Sequence, residues 1–322
     1  MSSDPSALSE RDARKDELRE ENAIVAPYRG AIAWRLIIEF VFTWSAFAAA
    51  FLLAATGRIS LWAAFPVCVV SSAMIYMPLH ESVHRNVSGD NKNMQWLNEL
   101  VGRMSGIIFV FGLKQHRKSH LLHHAHTNEV GGDPDVITAG NPRRIPGSVA
   151  LITIMSLLTP VLAFIPPSRK LIPKSVAKRL GADTASKMDP EDQKNRVIRN
   201  FIDIAVLIGF TMAGLGPEIW LLWYAATRIA FTWVVFIFGW YPHHPHAETG
   251  RYRDTRIATF PGSTFLIRGH DYHLLHHLYP RVVHYKLPVL WNDIEDVMIA
   301  RGARIEGTAS RVGTPIIWGS AQ

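Results

Sequence analysis

Apolar and polar positions divide this chain into long blocks rather than short periodic segments. Trp34 to Thr56 is apolar apart from Arg35 and Glu39 near its start. After the polar link Gly57-Arg58-Ile59-Ser60, a second apolar block runs from Leu61 to Leu79. A membrane-crossing helix needs about 20 such residues, so the two blocks predict spans joined by a short turn. Phe201 to Leu215 and Glu218 to Trp240 predict a second pair, joined around Gly214-Leu-Gly-Pro217. Leu100 to Leu113 is shorter and broken by Gly102, Arg103 and Gly106, which predicts an interfacial segment.

Val149 to Pro166 approaches span length but carries Pro160 and Pro166, and a strongly basic stretch follows it. Arg169, Lys170, Lys174, Lys178, Arg179, Lys187, Lys194, Arg196 and Arg199 all fall there. Basic loops stay on the cytoplasmic side, so Val149 to Pro166 is predicted to be re-entrant or interfacial. The predicted architecture is an all-α integral membrane protein. Four transmembrane helices form two hairpins, with a cytoplasmic helical cap beneath them.

The polar ends complete the division. Residues 1–33 predict a disordered or solvated helical lead, without the apolar core of a signal peptide. Residues 34–287 form the membrane domain. Residues 288–322 form a cytoplasmic segment, with a helix from Pro288 to Arg301 stopped by Gly302.

Composition sharpens this picture. Charged residues make up 19% of the 322, below the usual quarter of soluble proteins. The excess of 34 basic over 27 acidic residues is distributed to suit an anionic membrane surface rather than nucleic acid. The single cysteine, Cys68, lies in an apolar block, which excludes an internal disulfide and a cysteine-based metal site.

The candidate chemistry lies in the histidines. All 15 fall between His80 and His284. His80-Glu-Ser-Val-His84 ends the second apolar block. His116-Arg-Lys-Ser-His120-Leu-Leu-His123-His124-Ala-His126 and His270-Asp-Tyr-His273-Leu-Leu-His276-His277 repeat one string, and His243-His244-Pro-His246 follows the last apolar block. Residues at i, i+3 and i+4 share a helix face, so His-x-x-His-His aims three imidazoles at one region. His80, His84, His120, His123, His124, His273, His276 and His277 exceed the four ligands of one structural zinc. They suit two metal ions, and imidazole alone does not name the metal.

These boxes resemble those of the membrane fatty acid desaturase superfamily, which includes fatty acid desaturases, lipid hydroxylases and bacterial carotenoid hydroxylases. The resemblance covers Leu79 to Leu287. It implies two iron ions in a non-haem di-iron centre, with O2 as co-substrate, attacking an unactivated C–H bond. It also implies one further histidine after the last span; His244 is the choice, with His243 and His246 beside it. Residues 34–287 are then a membrane and di-iron catalytic domain. His116, His126, His270 and His284 flank the boxes and read as supporting or surface residues. Glu81, Asp133, Asp135 and Asp271 are candidates to orient the rings.

With no haem, flavin or nucleotide motif evident, electrons would come from a separate donor such as a ferredoxin. An acidic donor would suit the basic cytoplasmic face. The predicted partners are thus membrane lipid, a lipid substrate and this donor, with no nucleic acid. The predicted active site faces the cytoplasm. Fatty acyl desaturation is the first choice of reaction, and carotenoid or lipid hydroxylation the second.

Two readings from other classes compete. His80-Glu81-Ser-Val-His84 fits the His-Glu-x-x-His pattern of a zinc protease, with Glu81 as general base. That reading leaves both His-x-x-His-His groups unexplained. A metal transporter would want ionisable groups near mid-bilayer, whereas these histidines sit at block ends. Arg228, deep in the last block, reads equally as functional or as snorkelling or paired with Asp203 or Glu39.

Overall fold

A computed structural model of the protein describes residues 5–109, 112–135 and 190–318, with scattered positions between 147 and 158. Most of the predicted segment Val149 to Pro166, and the basic stretch up to residue 189, lie outside the described residues.

The helices, in chain order, are α1 (Pro5–Val25), α2 (Trp34–Ala55), α3 (Leu61–Met74), α4 (Tyr76–Val83) and α5 (Gln95–Ile108). They continue with α6 (Leu113–His126), α7 (Pro190–Met212), α8 (Gly216–Trp240), α9 (His273–Leu278) and α10 (Leu287–Ala300). Gly57 takes a left-handed φ of +69° in the α2–α3 turn, which glycine adopts without a Cβ penalty. The Ser60 hydroxyl then caps α3 by accepting from the Ala63 N–H at 3.2 Å. Ala50, Ala54, Ala64, Cys68, Ser71 and Ser72 are buried. Side chains this small let helices approach closely inside a bilayer. Ile38, Phe42, Leu52, Trp62 and Val70 point outward and are exposed, an apolar surface that lipid would cover.

α3 and α4 run as one apolar rod, Leu61–Val83. This is longer than the predicted block, because the helix continues through His80 to Val83. The rod breaks at Ile75 for a local reason. Pro78 has no N–H to give to the Met74 carbonyl one turn earlier. Nη1 of Arg268 donates to that carbonyl instead, at 3.1 Å, and Arg268 also pairs with Glu39. The charge near the start of the first span thus anchors the segment that leads into α9.

Three helices among the described residues are long and apolar enough to cross a membrane: Trp34–Ala55, Leu61–Val83 and Gly216–Trp240. The bent pair Lys92–Ile108 and Leu113–His126, turned by 100°, passes the same test only if taken as one broken span. The predicted span Phe201 to Leu215 falls mostly in α7, which is not one of the three helices; Asp203 lies within that stretch. Asp203 is occupied. It accepts from Nε of Arg199 at 2.8 Å and from Nη2 of Arg228 at 3.3 Å. The Arg228 guanidinium lies 3.9 Å from the centre of the Tyr224 ring. Arg228 therefore pairs with Asp203 rather than Glu39.

Two features depart from an all-α fold with a merely solvated lead. β1 (Ile257–Thr259) and β2 (Ile305–Gly307) pair in parallel, Ile257 opposite Ile305. A buried Arg256–Glu306 ion pair at 2.7 Å flanks them. The lead forms α1, whose Glu21 is fully buried. Its carboxylate accepts from the hydroxyls of Tyr252 at 2.5 Å and Tyr279 at 2.9 Å, and pairs with Arg251 at 3.1 Å. This docks α1 against the segment following α9 and the chain around Tyr252, while Arg301, just past α10, pairs with Glu17 at 2.7 Å. α10 ends just before Gly302 at φ +70°, within a residue of the predicted helix.

Candidate metal centre

Four elements deliver the histidines. α4 presents His80 and the residue after it presents His84. α6 presents His120, His123 and His124; α9 presents His273, His276 and His277; the chain leaving α8 presents His243. The ring nitrogens of His80, His84, His120 and His276 lie within 4.8 Å of one another, and so do those of His123, His243, His273 and His277. His124 joins the first group. Its Nε2 is 3.0 Å from that of His120 and 3.1 Å from that of His276. Its ring also stacks on His277 at 4.2 Å, so the groups adjoin.

The helical periodicity divides each His-x-x-His-His triplet between the groups. In α6 the i, i+4 pair His120/His124 serves the first group and His123 the second. In α9 the assignment is reversed: His273/His277 serve the second group and His276 the first.

The donor set fits a metal ion. In the second group, Nε2 of His243 lies 2.9 Å from that of His273 and 3.2 Å from that of His123. Facing nitrogens at this distance bond only if one carries a proton and the other does not. Such a ring of contacts cannot satisfy every lone pair, whereas a central cation satisfies all. Both nitrogens of His80 and Nε2 of His84 are buried with no hydrogen-bond partner, which is costly without a ligand. Burial, followed by repulsion from neighbouring imidazoles, holds His243, His273 and His277 well below the usual histidine range. They stay neutral with lone pairs available.

Supporting contacts are specific. Nδ1 of His123 donates to Oδ1 of Asp133 at 2.8 Å, and the other oxygen of that carboxylate accepts from the Asn128 N–H at 2.8 Å. Burial opposes charge on both partners. The hydrogen bond outweighs it, raising His123 and lowering Asp133. The Thr127 hydroxyl donates to the His123 carbonyl at 2.8 Å and lies 3.2 Å from Nδ1 of His277. Glu81 and Asp271 do not orient any of these rings. Glu81 accepts from the N–H and Nδ1 of His284, at 2.9 and 3.0 Å, and from Asn86 at 2.5 Å. Asp271 accepts from Ser263 and Thr264. Asp135 stands 3.8 Å from Nδ1 of His123.

The structure differs from the sequence reading at the histidine after α8. His243, not the chosen His244, enters the cluster, while the His244 ring packs 4.6 Å from Trp240. The cause is local: Val235–Trp240 is π-helical, and Tyr241 bonds back to the Phe236 carbonyl. An i→i+5 turn holds an extra residue and shifts which of two adjacent histidines faces inward. His270 is fully buried, 5.0 Å from His80 and 4.9 Å from His273 ring to ring. His126 pairs with Glu129 instead.

Residues 60–308, well over half of the chain, match the fatty acid desaturase family. No curated protein matches the chain.

Proposed function

The chain belongs to the fatty acid desaturase family, and on that premise we propose that it oxidises an unactivated C–H bond of a membrane lipid at two histidine-bound irons. The observation that supports this most is the pair of adjoining all-imidazole groups at the ends of apolar helices. Fatty acyl desaturation is the preferred reaction, and hydroxylation of a carotenoid or other lipid the alternative. Iron, when bound, supplies the O2-dependent abstraction of hydrogen that no side chain can perform alone.

The chain's own residues do the rest. His80, His84, His120, His124 and His276 would hold one ion; His123, His243, His273 and His277 the other. Asp133 and Thr127 fix the rings of His123 and His277. Tyr76, Phe109 and Phe238 pack together, with Tyr76 and Phe238 also against His80, an apolar wall that would exclude water and suit a hydrocarbon. α7 and α8 would complete four spans in two hairpins, with the charged face of α7 held by Asp203. The centre and the N-terminus would face the cytoplasm, where a donor such as a ferredoxin delivers electrons.

The protease reading loses its base. Glu81 is engaged by His284 and Asn86 and fully buried. The test is expression of the full chain with an electron donor in a host lacking this lipid oxidation, followed by lipid analysis and metal analysis of the purified protein. About two irons per chain and a new unsaturated or hydroxylated lipid are expected. Stoichiometric zinc, with no iron taken up under reducing conditions, overturns the proposal.

A further inference from the structure

A cavity of about 600 Å³ is an open groove outside the metal centre, lined by Arg85, Asp90, Lys92, Trp96, Glu99 and Arg281 among others. Its acidic residues are already used. Asp90 pairs with Arg281 at 2.7 Å; Glu99 pairs with Arg117 at 2.8 Å and Arg103 at 3.5 Å. Arg85 and Lys92 form no ion pair among the described residues, and both are exposed. The groove therefore presents two uncommitted cations.

Two further observations locate and sharpen it. Arg85 has φ +59°, a left-handed conformation that costs a non-glycine residue about 1–2 kcal/mol. Strain of this kind persists where the surroundings impose it, and it marks functional positions. The groove also borders α5, whose faces differ sharply. Leu97, Val101, Ser105 and Ile108 are buried, while Trp96, Leu100, Arg103 and Ile107 are exposed in a continuous stripe. Large apolar residues at this spacing, with cations at the margin, suit a helix lying in a membrane surface. Trp favours the headgroup level.

We propose that this groove binds the phosphate head of an anionic membrane lipid, with Arg85 and Lys92 on the phosphate and Trp96 against the glycerol and upper chain. The site depends on α5 lying at a membrane surface and not on the reaction performed at the histidines. It is contiguous with them all the same. Nη1 of Arg281 donates to the His84 carbonyl at 2.8 Å and to the Arg85 carbonyl at 3.1 Å, so an occupied groove would brace the chain just beyond the first box.

The experiment is native mass spectrometry of delipidated full-length protein, titrated separately with phosphatidylglycerol, phosphatidylcholine and inorganic phosphate. Phosphatidylglycerol should bind at least tenfold more tightly than phosphatidylcholine. Each basic residue near a charged surface adds about fivefold. Arg85→Gly, which also suits the left-handed backbone, together with Lys92→Gln should therefore weaken phosphatidylglycerol roughly thirtyfold. Arg103→Gln, on α5 outside the groove lining and paired with Glu99, should change it little. Metal content, read in parallel, should be the same in all three proteins, which separates this site from the metal centre. Equal affinity for the two lipids, an unchanged double variant, or inorganic phosphate binding as tightly as phosphatidylglycerol overturns the proposal.

Discussion

Glu81→Gln separates the competing readings of the first box and probes a contact absent from the histidine pattern. The Glu81 carboxylate is fully buried and accepts three hydrogen bonds, two from His284 on one oxygen and one from Asn86 on the other. Glutamine keeps one oxygen and replaces the other with an NH2. If its oxygen stays on His284, the new amide faces the Asn86 amide, donor to donor. Asn86 cannot simply flip, because the same nitrogen donates to the Pro280 carbonyl at 2.9 Å. One buried donor is left unmatched, a cost of about 1–3 kcal/mol. The contact ties the first box to the segment following α9, so stability should fall by that amount, read as a lower melting temperature of purified protein. Lipid oxidation should persist, because Glu81 bonds His284 and Asn86 and none of the rings of the two metal groups. A zinc protease predicts the reverse: activity abolished, metal retained and stability unchanged. That outcome would falsify the structural role assigned to Glu81.

Further expectations follow from neighbouring residues. His243→Ala should lose bound iron and product together, whereas His244→Ala should keep both; equal loss in the two variants would refute the π-turn argument. Asp133→Asn should weaken iron binding by about 10–100-fold, measured by competition with a chelator, and unchanged affinity would remove its orienting role. Cysteines introduced at Ser60 and Lys194 in a Cys68→Ala background should label from opposite sides of the membrane, and labelling from one side would sink the four-span reading. Burial holds His116 and His246 down to about 3 and raises Asp254 to about 6. The unfolded chain therefore takes up protons on the two histidines below about pH 6.5, each removing up to about 1.4 kcal/mol per pH unit. Asp254 acts in the opposite sense, and only below about 6. Melting temperature of metal-free protein should drop between pH 7.5 and 5.5, and a flat profile would contradict the burial of these rings.

The boxes were legible because metal chemistry restricts residue type and helical spacing at once. Two triplets and a pair sufficed to propose two ions before any contact was known. His243 was not legible, since the choice between adjacent histidines depends on π-turns that no local residue announces. Glu81 looked like a catalytic or orienting acid because its partner His284 lies 203 positions away. Glu21 looked like one more charge in a solvated lead, and only the tyrosines that enclose it explain its burial. The predicted span at Phe201 carried an acid, Asp203, whose partners the sequence does not name: Arg199 one turn earlier and Arg228 on another helix. Three-residue strands are too short to leave a period-2 pattern. What sequence conceals here is consistently a long-range partner for a polar group.

The crossed assignment of the two His-x-x-His-His triplets would make two bound ions thermodynamically interdependent. Neither helix belongs to one ion: α6 gives two rings to the first group and one to the second, and α9 the converse. The first ion to arrive must fix α6 and α9 against each other, and it bears that ordering cost. It thereby preassembles His123, His273 and His277 for the second. A binding step that inherits order already established is tighter than the step that created it. Loading should accordingly be sigmoidal, with empty and doubly occupied chains prevailing over singly occupied ones at every iron concentration. A centre built this way rarely exists half-filled, which would spare the membrane a lone redox ion without its partner.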